Sequence, residues 1–196
     1  MAKLYFKYGA MNSSKSAQAL ITKFNYEEQG MAVWLIKPAA DTRYGREEIT
    51  SRVGLSQKAD VIEESTDILE RFRDREREFF DVIIADESQF FTPAQIEQLR
   101  EIVDLYHVPV ICFGLRTDFQ THLFPGSARL LELADSISEI KTICACGNKA
   151  IVNARLDDDG NVITEGAQVV LGGNDRYVAM CHSCWKKAIA RGKEGR

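Results

Sequence analysis

The chain has 196 residues, 45% of them hydrophobic and 28% charged, which excludes collagen-like, coiled-coil and disordered architectures and suffices for a full core without disulfides. Acidic residues outnumber lysine and arginine by 29 to 25, for a net charge of -4. That balance disfavours a protein that coats duplex DNA or an anionic membrane.

The segment from Met1 to Lys7 does not read as a signal peptide, because its apolar stretch is cut by Lys7. No run approaches the roughly 18 apolar residues of a membrane helix. The five cysteines are therefore expected as thiols or metal ligands in a reducing, cytoplasmic compartment.

Lys3 to Tyr8 is a short β-rich run. Directly after it, Gly9-Ala10-Met11-Asn12-Ser13-Ser14-Lys15-Ser16 resembles the Walker A pattern G-x-x-x-x-G-K-[ST]. Such a loop turns backbone N–H groups towards phosphates and adds the positive end of a helix dipole. Lys15 is expected to neutralise the β- and γ-phosphates and Ser16 to ligate magnesium. Ser14 stands where the pattern has its second glycine, and the loop is expected to tolerate it provided that position keeps a negative φ.

Ala17, Leu20, Ile21 and Phe24 have the spacing of an amphipathic helix, closed by Gly30. Ala32 to Ile36, Val82 to Ala85 and Val108 to Phe113 are continuous apolar runs, as strands buried on both faces of a parallel sheet require. Thr92-Pro93-Ala94-Gln95 is a capping box with proline in the first turn, and Ile96, Leu99 and Val103 form the stripe of the helix it starts. Arg71 to Glu78 reads as a solvated helix face, and segments 39–57 and 116–126 as loops. This alternation predicts an α/β fold with a parallel sheet flanked by helices.

Val82-Ile83-Ile84-Ala85-Asp86-Glu87 has the form of a Walker B strand. Alternating side-chain directions allow Asp86 to hold the magnesium shell while Glu87 faces an acceptor and takes its proton.

Beyond residue 142 the pattern changes to short alternating runs separated by turns. Asp157-Asp158-Asp159-Gly160-Asn161 reads as a hairpin turn, since an EF-hand's glutamate at position 12 is missing. Cys144-Ala145-Cys146 and Cys181-His182-Ser183-Cys184 offer four thiolates for a closed tetrahedral zinc site. A redox pair, idle thiols, or His182 replacing one ligand are the other readings. Cys112, in an apolar strand, is expected to be a buried small residue, and His107 and His122 capping or surface residues.

Taken together the chain resembles the zinc-containing, homotetrameric class of thymidine kinases. The resemblance runs through Leu4-Tyr5-Phe6, Ala10-Met11-Asn12, Lys15-Ser16, Asp41-Thr42-Arg43-Tyr44-Gly45, Asp86 to Phe91, Gly114 to Phe119, Lys141 to Cys144 and Gly172 to Tyr177. It implies a P-loop, RecA-like domain over 1–142 and a β-rich zinc-binding lasso domain over 143–196. It implies transfer of the ATP γ-phosphoryl to the 5′-hydroxyl of thymidine, with Glu87 as base. Gly9 to Ser16 together with Asp86, Glu87, Ser88 and Gln89 would bind ATP, and Ser16 and Asp86 magnesium. Phe90, Leu115, Phe119, Phe124, Val169, Val170, Leu171, Gly172, Gly173 and Tyr177 would surround thymidine, and Cys144, Cys146, Cys181 and Cys184 would hold zinc. A homotetramer inhibited by thymidine triphosphate is implied as well.

Two other activities share part of this pattern. A DNA-dependent ATPase with a zinc ribbon would use the same Walker residues, but the acidic balance and the lack of a basic groove with spaced aromatics oppose it. A zinc module with a degenerate phosphate loop is the reading that Ser14 suggests.

Overall fold

The computed structural model describes residues 1–42, 45–74, 79–168 and 177–194. Six strands form one parallel sheet: β1 (Leu4–Tyr8), β2 (Val33–Pro38), β5 (Asp60–Ile62), β6 (Val82–Ala85), β7 (Val110–Gly114) and β8 (Ser136–Glu139). Their spatial order is β5-β2-β6-β7-β1-β8. A short antiparallel hairpin, β3 (Glu48–Thr50) and β4 (Ser56–Lys58), occupies part of the segment whose sequence shows no period.

The apolar runs become central strands because both faces of the sheet are covered. Along β6, Ile83 and Ala85 face a core with Leu4, Phe6, Trp34 and Cys112, while Val82 and Ile84 face another with Leu35, Ile111 and Phe113. Helix α1 (Lys15–Glu27) covers the second face through Ala19 and Leu20. Helices α2 (Ile68–Asp74), α3 (Pro93–Tyr106) and α4 (Pro125–Leu133) cover the first. The capping box of α3 is formed in both directions, Gln95 N donating to Thr92 Oγ1 and Thr92 N to Gln95 Oε1. His107 caps the end of α3 in the left-handed region. Burial drives the Cys112 thiol pKa far up, as expected for a core residue.

Helix α1 departs from its expected face. Ala17 and Leu20 are buried, but Ile21 and Phe24 are 49% and 59% exposed. The apolar stripe is wider than the sheet can cover, so half of it faces outward.

After the sheet, β9 (Thr142–Ile143) pairs with β10 (Lys149–Ala150), and β11 (Val152–Leu156) lies between β12 (Val162–Ile163) and β13 (Tyr177–Met180). The aspartate-rich segment is the β11–β12 hairpin turn, its Asp157 carboxylate accepting the Asp159 and Asn161 amides. Helix α5 (His182–Glu194) closes the chain, with Trp185 packed on Val152 and Ala154. The glycine-rich turn 172–174 lies outside the described residues. Among the described residues no helix is long and apolar enough to cross a membrane.

Candidate active site and cysteine centre

In an open parallel sheet, ligands sit beyond the carboxyl ends of the strands. There, β1 runs into the loop Gly9–Ser14, and β6 runs into Asp86 and Glu87, with β7 between them. The close packing fixes two glycines. A Cβ on Gly9 would fall 2.5 Å from the Ile140 carbonyl oxygen, and one on Gly114 would fall 2.8 Å from Gln89 Oε1.

A cavity of about 190 Å³ opens at this end. Met11, Asn12, Ser13, Ser14, Lys15 and Ser16 form one side, Asp86, Glu87 and Leu115 the floor, and Asp41 with Ile49–Val53 the far wall. Ser14 has φ 61 and ψ 28, so the expectation of a negative φ is corrected. Serine occupies the left-handed conformation that a glycine would take at less strain. Asn12 (φ 63) and Glu87 (φ 49) share that region. Three of the five non-glycine residues with positive φ among the described residues thus line a single cavity, the clustering expected where backbone strain serves a site.

The Lys15 ammonium folds back on its own loop, donating to the Ala10 carbonyl at 2.9 Å and to Ser13 Oγ at 3.3 Å. The Ser16 hydroxyl lies beside the Asp86 carboxylate. Burial, followed by the neighbouring Glu87 charge, pushes the Asp86 carboxyl up to about 7, against the Ser16 hydrogen bond and the charge of Lys15. Asp86 Oδ1 is buried and accepts no hydrogen bond from any described residue. An orphaned carboxylate oxygen beside a serine hydroxyl is a fitting pair of hard donors for magnesium.

Glu87 is oriented by Gln89, whose Nε2 donates to Glu87 Oε2 at 2.5 Å while its Oε1 accepts the Leu115 amide at 2.9 Å. Ser88 Oγ donates to the Phe113 carbonyl. Ser88 and Gln89 therefore support the floor and do not line the cavity beside Met11 to Ser16. Gly9 packs behind the loop, and Ala10 faces the cysteines.

A neighbouring cavity of about 340 Å³ is bounded by Gln89, Phe90, Phe124 and Gln168. Phe90 and Phe124 meet edge to face, 5.6 Å between centroids. Phe119 lines neither cavity: it is buried beneath the Arg155 guanidinium, 5.1 Å from its ring centre. Tyr177 opens β13 opposite Arg155. Val169, Val170, Leu171, Gly172 and Gly173 lie outside the described residues.

The sulfur atoms of Cys144, Cys146, Cys181 and Cys184 all lie within 4.8 Å of one another. Cys146 and Cys181 sulfurs are 3.7 Å apart, close to the ~3.8 Å edge of a tetrahedron with ~2.3 Å zinc–sulfur bonds. The Asn148 amide lowers the Cys146 thiol to about 6, and the Cys146 amide lowers that of Cys144. Sharing its proton with the neighbouring Cys146, Cys181 and Cys144 sulfurs pushes the Cys184 thiol up to about 12. Amide-stabilised thiolates packed this tightly can hold a metal such as zinc.

Asp41, Lys37 and Asn153 escaped the sequence reading as individual site residues. Lys37 carried a signal: a lysine ending a buried apolar strand needs a nearby carboxylate, and Asp41 follows four residues on.

Fold and site together define an α/β phosphotransferase with a cysteine centre able to hold a metal. The family model for thymidine kinase matches residues 2–185. The chain is 45% identical over 193 residues to a thymidine kinase of Salmonella paratyphi A, covering 98% of this chain and 94% of that protein. It is 45% identical to one of Vibrio vulnificus, over 97% of this chain and 100% of the other. It is 46% identical to one of Legionella pneumophila, over 97% and 92%. The chain belongs to the thymidine kinase family, whose members are ATP-dependent nucleoside kinases.

Proposed function

We propose that the chain transfers the γ-phosphoryl group of ATP to the 5′-hydroxyl of thymidine, giving thymidine monophosphate and ADP. The observation that carries this reading is the convergence of Lys15, Ser16, Asp86 and Glu87 on one cavity at the carboxyl end of the sheet. Phosphoryl transfer needs positioning and charge stabilisation more than covalent chemistry. The amides of Asn12 to Ser16 and the α1 dipole bind phosphate oxygens, and Lys15 leaves the Ala10 carbonyl to meet them. Ser16 and Asp86 would hold magnesium, which when bound would supply positive charge against the phosphates. Glu87, aimed by Gln89, takes the proton of the attacking hydroxyl.

The nucleoside lies beside Phe90, Leu115 and Phe124, with Tyr177 close to it. An uncharged pyrimidine calls for such apolar faces with a few fixed hydrogen bonds. We read residues 1–142 as the nucleotide-binding domain and 143–196 as a zinc-held lasso domain. The enzyme is cytoplasmic and a homotetramer inhibited by thymidine triphosphate. The outward Ile21 and Phe24 of α1 suit contact with a second copy of the chain.

The test mixes the protein with γ-labelled ATP and magnesium, adding thymidine, single-stranded DNA or nothing. Labelled thymidine monophosphate is the expected product. Phosphate release dependent on DNA alone would assign a motor instead, and no nucleotide binding would leave a zinc module.

A further inference from the structure

Three consecutive residues of the phosphate loop are held from the cysteine-bearing end of the chain. Ala10 packs against Cys144, Ala150, Ala179 and Cys181. The Met11 amide donates to Asn153 Oδ1 at 2.7 Å, and the Asn12 carbonyl accepts from Thr142 Oγ1 at 3.2 Å. Asn153 is buried, only 3% exposed.

Strand alternation explains its direction. Val152 and Ala154 point into the Trp185 core, so Asn153 between them faces the other way, towards the loop. Its second group is also engaged, since Nδ2 donates to the Thr117 carbonyl at 2.8 Å. The orientation of the amide is fixed by its partners, because an N–H can only donate and a carbonyl can only accept. One buried side chain therefore spans β11, the phosphate loop and the segment between Leu115 and Phe124 that leads to the second cavity.

We infer that Asn153 is a positioning residue for the phosphate loop, setting the Met11 peptide so that the following amides face the triphosphate. The claim rests on the reading of that loop as the ATP site. Met11 lies just before Asn12, whose left-handed backbone begins the curl of the loop. Releasing the Met11 amide lets that peptide rotate, and the amides after it lose their common direction. The effect falls on binding of the nucleotide more than on the proton transfer at Glu87.

Two nearly isosteric substitutions separate this role from packing. Asn153→Val removes both hydrogen bonds, whereas Asn153→Thr keeps a hydroxyl that can accept and donate on an equally strand-favouring residue. The readouts are the dissociation constant of a non-hydrolysable ATP analogue with magnesium, KM for ATP, kcat at saturating ATP, and metal content. For Asn153→Val the expected result is a loss of analogue affinity of about fivefold or more, the scale of one buried hydrogen bond. KM should rise in parallel, kcat should change less, and metal content should hold. Asn153→Thr should recover much of the affinity. Unaltered analogue affinity in folded Asn153→Val, or equal losses in both variants, would overturn the inference. If Asn153→Val does not fold, Asn153→Ala is measured in its place. Failure of the wild-type protein to bind the analogue would instead overturn the reading of the loop.

Discussion

The ammonium of Lys37 lies 3.0 Å from the Asp41 carboxylate, and both groups are buried, the lysine completely. The same ammonium donates to the Glu48 carbonyl at 2.9 Å and the Gly45 carbonyl at 3.3 Å. One cation thereby fastens the far wall of the cavity beside Met11 to Ser16 to the end of β2. Lys37→Met leaves a buried carboxylate and two carbonyls facing a methionine, which should cost roughly 3 kcal/mol or more of stability. Urea unfolding of the nucleotide-free protein checks this. A loss below about 1 kcal/mol would mean that the wall rearranges freely.

Asp86 makes stability and function oppose each other. Its carboxyl titrates near 7 in the folded chain against an ordinary 3.8, so the folded state keeps a proton that the unfolded chain has released. Between about pH 4 and pH 7 the contribution of this group to stability falls as pH rises, and it is least favourable above 7. Asp86→Asn should raise the melting temperature of the nucleotide-free protein at pH 8, flatten its decline from pH 5.5 to 8, and abolish turnover. A variant that melts lower than wild type at pH 8 would contradict this.

Glu87→Gln should keep ATP binding and lose turnover by about 10² or more, the scale of a positioned base. Gln89→Leu should lower turnover in the same direction by a smaller factor, because it removes one hydrogen bond that aims the Glu87 carboxylate without removing the carboxylate. Steady-state kinetics with thymidine decide both. Near-normal turnover of Glu87→Gln would move the role of base elsewhere.

Cys181→Ser should lose bound metal and destabilise β13 and α5, since Cys181 sits between them and packs with Cys144, Ala150 and Ala179. Thymidine affinity should fall first, through Tyr177, and ATP affinity should follow through Ala10 and Asn153. Metal analysis with titrations of each substrate tests that order. Full metal content in the variant would shift the ligand role to another group.

Much of the sheet was legible because its central strands are buried on both faces, so β2, β6 and β7 read as unbroken apolar runs. The edge strands β5 and β8 were not legible: they are short, half polar and held by one neighbour each. Helix α3 announced itself through Thr92 and Gln95, whereas the burial of α1 was overestimated because periodicity marks an apolar stripe without saying how much is covered. The loop, the Asp86-Glu87 pair and the cysteines were readable as spacings. Asn153 was not, because a lone polar residue on a strand gains its meaning only from distant partners such as Met11 and Thr117, while the one signal of Lys37 was Asp41 four residues on.

Isothermal titration of magnesium-ATP into the wild-type protein and into Lys15→Ala addresses the phosphate loop most directly. The account predicts saturable heat for the wild type and affinity at least tenfold weaker for the folded variant, the order of a lost charge-assisted contact. No heat with the wild type, or equal affinities for the two proteins, would contradict it.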